Sequence, residues 1–249
     1  MRSDIIALGL AAAVLATLPV YAIVSRGKPL DAEVAKRPVS VLLGYWIRDW
    51  IMWLIGPIER FFVRMQISPD VFNYAGAVFG AAAGLAYASR ALALAGWLIL
   101  LGGASDIFDG RIARARGITD KRGAFLDSTL DRFSETFAFM GVALYFATRP
   151  WEVLATALAL GGSMLVSYAR ARGEALGVSC KEGIMQRAER LVLLALASLL
   201  DNAVTGSMGW QPGSVLFAAI VIIGVGSLAT AIFRTVYIAK ELKLSLIHI

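Results

Sequence analysis

Four aspartates in the stretch 106–131 have the residue type and the spacing to hold metal ions. Asp106 and Asp109 are three residues apart, and Asp127 and Asp131 are four apart. On two neighbouring helices each pair would share one face, so the two acidic faces could meet. Four carboxylates inserted beside an apolar bilayer would be disfavoured by about 10 kcal/mol unless cations bind them. Hard oxygen ligands suit Mg²⁺ or Mn²⁺, so the sequence predicts a site for two such ions near one membrane surface.

Small and cationic residues accompany these aspartates. Gly110 and Gly123 have no side chain, so a bulky ligand can approach the helices closely. Ala113 keeps the same face shallow, and the planar guanidinium of Arg114 can hold a phosphate. The alternative is that the four aspartates cap helices or form surface ion pairs. That could explain one pair of aspartates but not two pairs with helical spacing on adjoining apolar runs. Neighbouring loop cations are more simply explained as residues that set membrane orientation, namely Arg111, Arg116, Lys121 and Arg122.

The composition is typical of an integral membrane protein. Of 249 residues, 58% are hydrophobic and 17% are charged. Cys180 is the single cysteine, which excludes an intramolecular disulfide framework. His248 is the single histidine, so proton transfer falls to a carboxylate. We attribute the net charge of +6 to basic loops that face anionic lipid head groups and phosphorylated ligands. No nucleic acid partner is expected.

Apolar runs must form the helices that position these residues. The run at 5–24 is long enough to cross a bilayer, and we interpret it as an uncleaved span rather than a signal peptide. The stretch 41–64 has charged side chains on one arc and apolar ones on the other, which predicts an amphipathic helix on the membrane surface, bent at Gly56-Pro57. Six further apolar runs, rich in Gly and Ala, follow at about 70–89, 92–115, 123–147, 151–176, 188–205 and 213–239.

We therefore expect an all-α integral membrane protein with three parts. These are an extra N-terminal transmembrane helix with its linker at 1–40, an amphipathic juxtamembrane helix at 41–66, and a six-helix domain at 67–241. Lys and Arg concentrate in alternate loops, so the positive-inside rule places the aspartate loop, the 170–190 loop and the C-terminus in the cytoplasm. The N-terminus would then lie outside the inner membrane.

The central motif resembles the signature of the CDP-alcohol phosphotransferases at each fixed position. It reads Asp106-x-x-Asp109-Gly110-x-x-Ala113-Arg114, and then Gly123, Asp127 and Asp131 follow after gaps of eight, three and three residues. The resemblance implies the six-helix core, a homodimer, and transfer of a phosphatidyl group from CDP-diacylglycerol to an alcohol with release of CMP. It implies that Asp131 is the base and that all four aspartates serve the metal ions. The residues it implies for CDP binding are Asp106, Asp109, Gly110, Ala113, Arg114, Gly123 and Asp127.

A second cationic run, at 167–190, concerns the acceptor alcohol. A phosphorylated acceptor needs a cationic pocket, whereas serine or choline does not. The run is similar to that of the phosphatidylinositol-phosphate synthase subgroup, which implies inositol 1-phosphate as acceptor. Arg172 and Arg187 are expected to contact the acceptor phosphate, with Arg170 and Arg190 behind them. Glycerol 3-phosphate or another alcohol is the alternative acceptor, and a metal-ion transporter or a noncatalytic lipid-binding scaffold is the alternative function.

Overall fold

The structure is a computed structural model and describes residues 2–31, 34–35, 44–118 and 120–245. The linker residues 36–40, the first residues of the predicted surface helix and His248 lie outside the described residues. All regular structure in the described part is helical. Its helices are α1 (Arg2–Leu15), α2 (Thr17–Val24), α3 (Tyr45–Arg64), α4 (Pro69–Ala88), α5 (Leu92–Ala115), α6 (Lys121–Tyr145), α7 (Pro150–Ala175), α8 (Arg187–Met208) and α9 (Ser214–Ser245).

The six apolar runs of the C-terminal part form α4 to α9, which confirms the expected helical membrane architecture. Within the described residues, five helices are long and apolar enough to cross a membrane: α4, α5, α7, α8 and α9. Helix α6 has 25 residues and is therefore equally long. It carries the charged residues of the second half of the motif, which lower its hydropathy.

The N-terminal apolar run forms two helices rather than the single helix expected over 5–24. Helix α1 ends at Leu15 and α2 begins at Thr17. The break follows from Pro19, which has no N–H to donate to the carbonyl of Leu15 one turn earlier. The hydroxyl of Thr17 donates instead to the carbonyl of Val14, at 2.7 Å. That this segment crosses the membrane stays a prediction.

Helix α3 is the described part of the predicted amphipathic helix and runs without interruption through Pro57. Its exposed apolar side chains include Trp46 and Trp53. On its other side, Ile55 joins Phe72 of α4 and Phe108 of α5 in a small buried cluster. Helix α3 is thus attached to the end of α5 that carries the first two aspartates.

Helix α4 lies between α5 and α6 and packs along both, whereas α5 and α6 touch each other at few points. Glycines make the crossing of α4 and α6 close. A Cβ atom added to Gly84 would lie 2.4 Å from the carbonyl oxygen of Phe137, and one added to Gly141 would lie 2.1 Å from the carbonyl oxygen of Gly84. The two backbones are therefore in direct contact, as small residues permit in membrane helices.

Two buried polar residues fix α9. Asp201 of α8 is fully buried and accepts hydrogen bonds from the backbone N–H groups of Gly213, Val215 and Leu216, at 2.7, 2.9 and 3.0 Å. These are N–H groups at the start of α9 that have no partner within the helix. Arg234 of α9 donates to the carbonyls of Val166, Lys181 and Glu182, at 2.9–3.0 Å. It thereby holds the loop that leads into α8.

Candidate metal and phosphate site

A tight turn between α5 and α6 brings the two halves of the motif together. Gly117, with φ at 65°, ends α5, and the N–H of Ile118 donates to the carbonyl of Ala113 at 2.9 Å. This is the arrangement in which glycine stops a helix without strain. The side chain of Asp120 then accepts a hydrogen bond from the N–H of Gly123 and so caps the start of α6. The turn places Asp127 next to the end of α5.

Three of the four predicted metal ligands lie together. Asp106, Asp109 and Asp127 each offer a carboxylate oxygen, and these oxygens all lie within 4.8 Å of one another. Asp109 is buried, and its Oδ1 accepts a hydrogen bond from the N–H of Gly110 at 2.6 Å. Three carboxylates this close repel one another unless a cation lies between them. Their hard oxygen donors fit Mg²⁺ or Mn²⁺.

Asp131 lies at the edge of this acidic cluster and is held by Arg187. One guanidinium nitrogen of Arg187 lies 2.6 Å from Oδ1 of Asp131, and the other lies 2.9 Å from Oδ1 of Asp106. Asp131 also faces Arg132, whose Nη2 lies 3.8 Å from its Oδ2. The structure therefore connects the fourth aspartate to the first through an arginine and does not place it in the group of three.

The residues predicted to bind CDP lie on both sides of the turn. Gly110, Ala113 and Arg114 belong to the last two turns of α5, and Gly123 belongs to the first turn of α6. A Cβ atom on Gly110 would lie 3.1 Å from Nη1 of Arg114. The guanidinium of Arg114 therefore folds over Gly110, the residue that follows Asp109.

The four arginines predicted for the acceptor phosphate differ in their burial and in their partners. Arg187, in the first turn of α8, contacts the acidic cluster. Arg190 is buried and donates to both carboxylate oxygens of Glu135, at 2.6 and 3.2 Å. Arg170 and Arg172 lie on the exposed end of α7, and Arg170 forms an ion pair within that helix. The interior positions thus belong to Arg187 and Arg190.

Arg132 is a site residue that reasoning from the sequence missed, although its position directly after Asp131 was an available signal. Its Nε and that of Arg187 are both buried and have no hydrogen-bond partner within the described part of the chain. A buried N–H without an acceptor costs about 1–3 kcal/mol. Two such donors beside a carboxylate cluster are suited to an anionic ligand with several acceptor oxygens, such as a phosphate.

The loop cations around the motif pack on neighbouring elements. Arg116 donates to the backbone carbonyls of Gln66 and Ile67, both at 3.1 Å. Arg122 forms an exposed ion pair with Asp70, at 2.7 Å. Both arginines thereby connect the turn between α5 and α6 to the start of α4.

Comparisons with known proteins agree with the motif. The family model described as CDP-alcohol phosphatidyltransferase matches residues 66–226. The chain is 33% identical over 225 residues to a phosphatidylinositol phosphate synthase of Streptomyces avermitilis, covering 88% of this chain and 90% of the relative. It is 33% identical over 192 residues to an archaetidylinositol phosphate synthase of Methanothermobacter thermautotrophicus, covering 75% and 93%.

Solved structures of a Mycobacterium tuberculosis phosphatidylinositol phosphate synthase have the same fold. The form with CDP-DAG bound superposes with a TM-score of 0.65 at 28% identity, over 73% of this chain and 92% of that one. The form with manganese and citrate gives a TM-score of 0.65 at 28% identity, over 73% and 87%. The similarity therefore extends to a protein whose crystals hold a CDP-linked lipid and a divalent metal.

Proposed function

Because the chain belongs to the CDP-alcohol phosphatidyltransferase family, we propose that it makes phosphatidylinositol phosphate and CMP from CDP-diacylglycerol and inositol 1-phosphate. A hydroxyl oxygen of the acceptor forms the new bond to the lipid-linked phosphorus, and the bond from that phosphorus to the bridging oxygen of CMP breaks. The hydroxyl proton passes to a carboxylate. The observation that carries the proposal is the group of three carboxylates within 4.8 Å, with Arg187 joining it to a fourth.

In this proposal Asp106, Asp109 and Asp127 hold the divalent ions, and Asp131 completes the set at its edge. Bound Mg²⁺ or Mn²⁺ would neutralise the diphosphate and stabilise the charge that develops during substitution at phosphorus. Arg114, folded over Gly110, binds a phosphate of the nucleotide. Gly110, Ala113 and Gly123 leave the nucleotide room against the two helices.

Asp131 is proposed as the base, and Arg187 with Arg132 as the cations that hold the acceptor phosphate. The guanidinium of Arg187 lies against Asp131 at 2.6 Å, so a phosphate bound there would bring its own alcohol within reach of that carboxylate. The planar guanidinium of an arginine fixes the orientation of a bound phosphate more strictly than the ammonium group of a lysine does. Arg190 binds Glu135 and is buried, so we assign it a supporting role behind Arg187 and Arg132. Arg170 and Arg172 lie on the exposed end of α7.

We also propose that the acidic cluster faces the cytoplasm of a cell with the N-terminus outside, in the inner membrane, and that the protein is a homodimer. The positive-inside rule supports the orientation. Of the predicted division at 1–40, 41–66 and 67–241, the family match supports the start of the third part, since it begins at residue 66. A cysteine introduced at the exposed Lys121 should react with an impermeant maleimide only after the cells are opened. Chemical cross-linking in membranes should give a dimer.

The function is tested with purified protein, CDP-diacylglycerol and a panel of acceptors, with release of CMP as the readout. We expect release with inositol 1-phosphate, loss of it in EDTA, and recovery on adding Mn²⁺ or Mg²⁺. If CMP were released with glycerol 3-phosphate and not with inositol 1-phosphate, the proposed acceptor would be wrong and the proposed reaction type would stand. Metal binding without CMP release for any acceptor would overturn the reaction and favour a transporter or a scaffold.

A further inference from the structure

Arg111 lies on the face of α5 that points away from the acidic cluster. It follows Asp109 by two residues, which is about 200° around an α-helix. Its Nε lies 2.5 Å from Oε2 of Glu59 in α3, and its Nη1 lies 3.1 Å from Oδ2 of Asp31. The three side chains are only 15–25% exposed. Two carboxylates from outside α5 thus bind the side of this helix opposite Asp109, two residues along the chain from it.

Asp31 belongs to the N-terminal segment, residues 2–31. This segment contacts helix α3 through further hydrogen bonds. The backbone N–H of Asp31 donates to Oδ1 of Asp49 at 2.6 Å, and the hydroxyl of Tyr21 donates to Oδ2 of the same carboxylate. Nε1 of Trp50 donates to the hydroxyl of Thr17 at 2.9 Å. The ring of Tyr21, which is 2% exposed, lies between two tryptophans of α3. Asp31 is therefore held in place by contacts that are independent of Arg111.

This segment lies outside the region that the family model matches, which begins at residue 66. We infer that Asp31 is a positioning residue: through Arg111 it fixes the rotation of the end of α5 and so the placement of Asp106 and Asp109. The inference rests on the proposed metal site. It gives the N-terminal segment a part in the chemistry in addition to any role as a membrane anchor.

The physical basis is the geometry of the arginine fork. If only Glu59 bound Arg111, its guanidinium could rotate about that one ion pair. Two carboxylates from different elements fix the plane of the guanidinium. A rotation of the end of α5 would move two metal ligands together, because both lie on that helix. The effect should be smaller than the 10- to 100-fold loss of affinity that follows removal of a direct partner of a metal ligand. We expect about three- to tenfold.

The test measures Mn²⁺ binding by electron paramagnetic resonance, independently of turnover, together with kcat and KM for CDP-diacylglycerol. Asp31→Asn should weaken Mn²⁺ binding and raise this KM about three- to tenfold, with the melting temperature in detergent unchanged. Asp31→Glu should restore part of both. Thr17→Val is the matched control, since it removes one contact of the same segment with α3 but leaves the bonds of Asp49 to Tyr21 and to Asp31 that hold Asp31 in place. It should leave Mn²⁺ binding unchanged.

A double-mutant cycle gives the decisive result. In an Arg111→Gln background, Asp31→Asn should have no further effect on Mn²⁺ binding. Additive effects would overturn the inference, as would equal losses in Asp31→Asn and Thr17→Val or no change in Mn²⁺ binding at all. Because the metal readout needs no turnover, an inactive wild-type protein would contradict the proposed reaction without deciding the role of Asp31.

Discussion

Among single residues, Arg187 has the most direct connection to the proposed chemistry. It spans Asp106 and Asp131 with two nitrogens of one guanidinium. An arginine can do this because its donors lie in one plane at fixed separation. The proposed base, Asp131, and the proposed metal ligand Asp106 are thereby held by one side chain, while a third nitrogen, Nε, has no acceptor within the described part of the chain. Arg187 therefore positions two of the four aspartates relative to each other.

Substitution of the proposed base should separate turnover from binding. Asp131→Asn keeps the shape of the side chain and removes its ability to accept a proton from the acceptor hydroxyl. We expect turnover to fall by about 10²–10⁴-fold, the contribution typical of a general base. Binding of CDP, measured by calorimetry in the presence of Mn²⁺, should change little. Near-normal turnover in this variant would show that the base is elsewhere.

The ion pair between Glu135 and Arg190 should contribute strongly to stability. Both side chains are nearly fully buried. Removing one partner leaves an uncompensated buried charge, so Glu135→Leu should lower the free energy of unfolding by about 3–5 kcal/mol. Adding Arg190→Met should recover most of this loss in a thermal melt.

The exposed pair Arg170–Glu174 is the control for that measurement. Glu174→Gln should change the free energy of unfolding by less than about 1 kcal/mol, because solvent screens an exposed pair. Equal effects at the buried and the exposed pair would contradict the assigned burial of Glu135.

At the scale of helices and loops, the structure holds the ends of α8 and α9 with buried polar contacts. Arg234 binds three carbonyls around the loop before α8, and Thr230 accepts a hydrogen bond from the N–H of Met185 at 3.1 Å. These contacts determine where α8 starts, and Arg187 is its first residue. The placement of a site arginine thus depends on residues of another helix.

Asp201 should be a large contributor to stability at the opposite end of α8. Its carboxylate accepts three N–H groups at the start of α9. Asp201→Ala leaves these donors without an acceptor and should cost at least about 2 kcal/mol in unfolding free energy. Ser207→Ala on the same helix, whose hydroxyl is exposed and donates only to Val204, should have little effect. A melting temperature unchanged by Asp201→Ala would contradict this capping role.

Local patterns predicted the helices well, because an apolar run of about 20 residues has few alternatives in a membrane. They also predicted the meeting of Asp106, Asp109 and Asp127, since helical spacing puts each pair on one face. The interruption near Ala16 was open to prediction from Pro19. The pairing of Arg187 with Asp106 and Asp131 was not, because it depends on where Arg234 and Thr230 hold the loop before α8.

Considering the whole molecule, the bundle is organised around the contact of α4 with both motif helices. Helix α5 carries Asp106 and Asp109, α6 carries Asp127 and Asp131, and these two helices touch each other little. Helix α4 packs against each of them. The separation of the two aspartate pairs therefore depends on α4, which contributes no aspartate to them, as well as on the turn between α5 and α6.

A methyl group at the crossing of α4 and α6 should disturb the fold. Gly141→Ala would place a Cβ 2.1 Å from the carbonyl oxygen of Gly84, so the two backbones must separate. We expect a loss of about 1–3 kcal/mol or more in unfolding free energy, measured by thermal melting. Gly161→Ala in α7 is the control, because no other atom lies within 4 Å of the added Cβ. It should stabilise the protein slightly, since alanine is the better helix former. Equal melting temperatures for the two variants would contradict the close crossing.

The same crossing bears on which ion the enzyme selects. Mg²⁺ binds oxygen at about 2.0–2.1 Å and Ca²⁺ at about 2.3–2.6 Å, so a few tenths of an ångström between the two acidic faces is enough to change the preferred ionic radius. Gly80 of α4 lies against Ser134 of α6, where an added Cβ would lie 2.2 Å from the serine hydroxyl. A slightly larger residue in place of Gly80 should move α4 away from α6 and increase the distances among the aspartate oxygens. We expect the metal preference to shift toward Ca²⁺ although every ligand is kept.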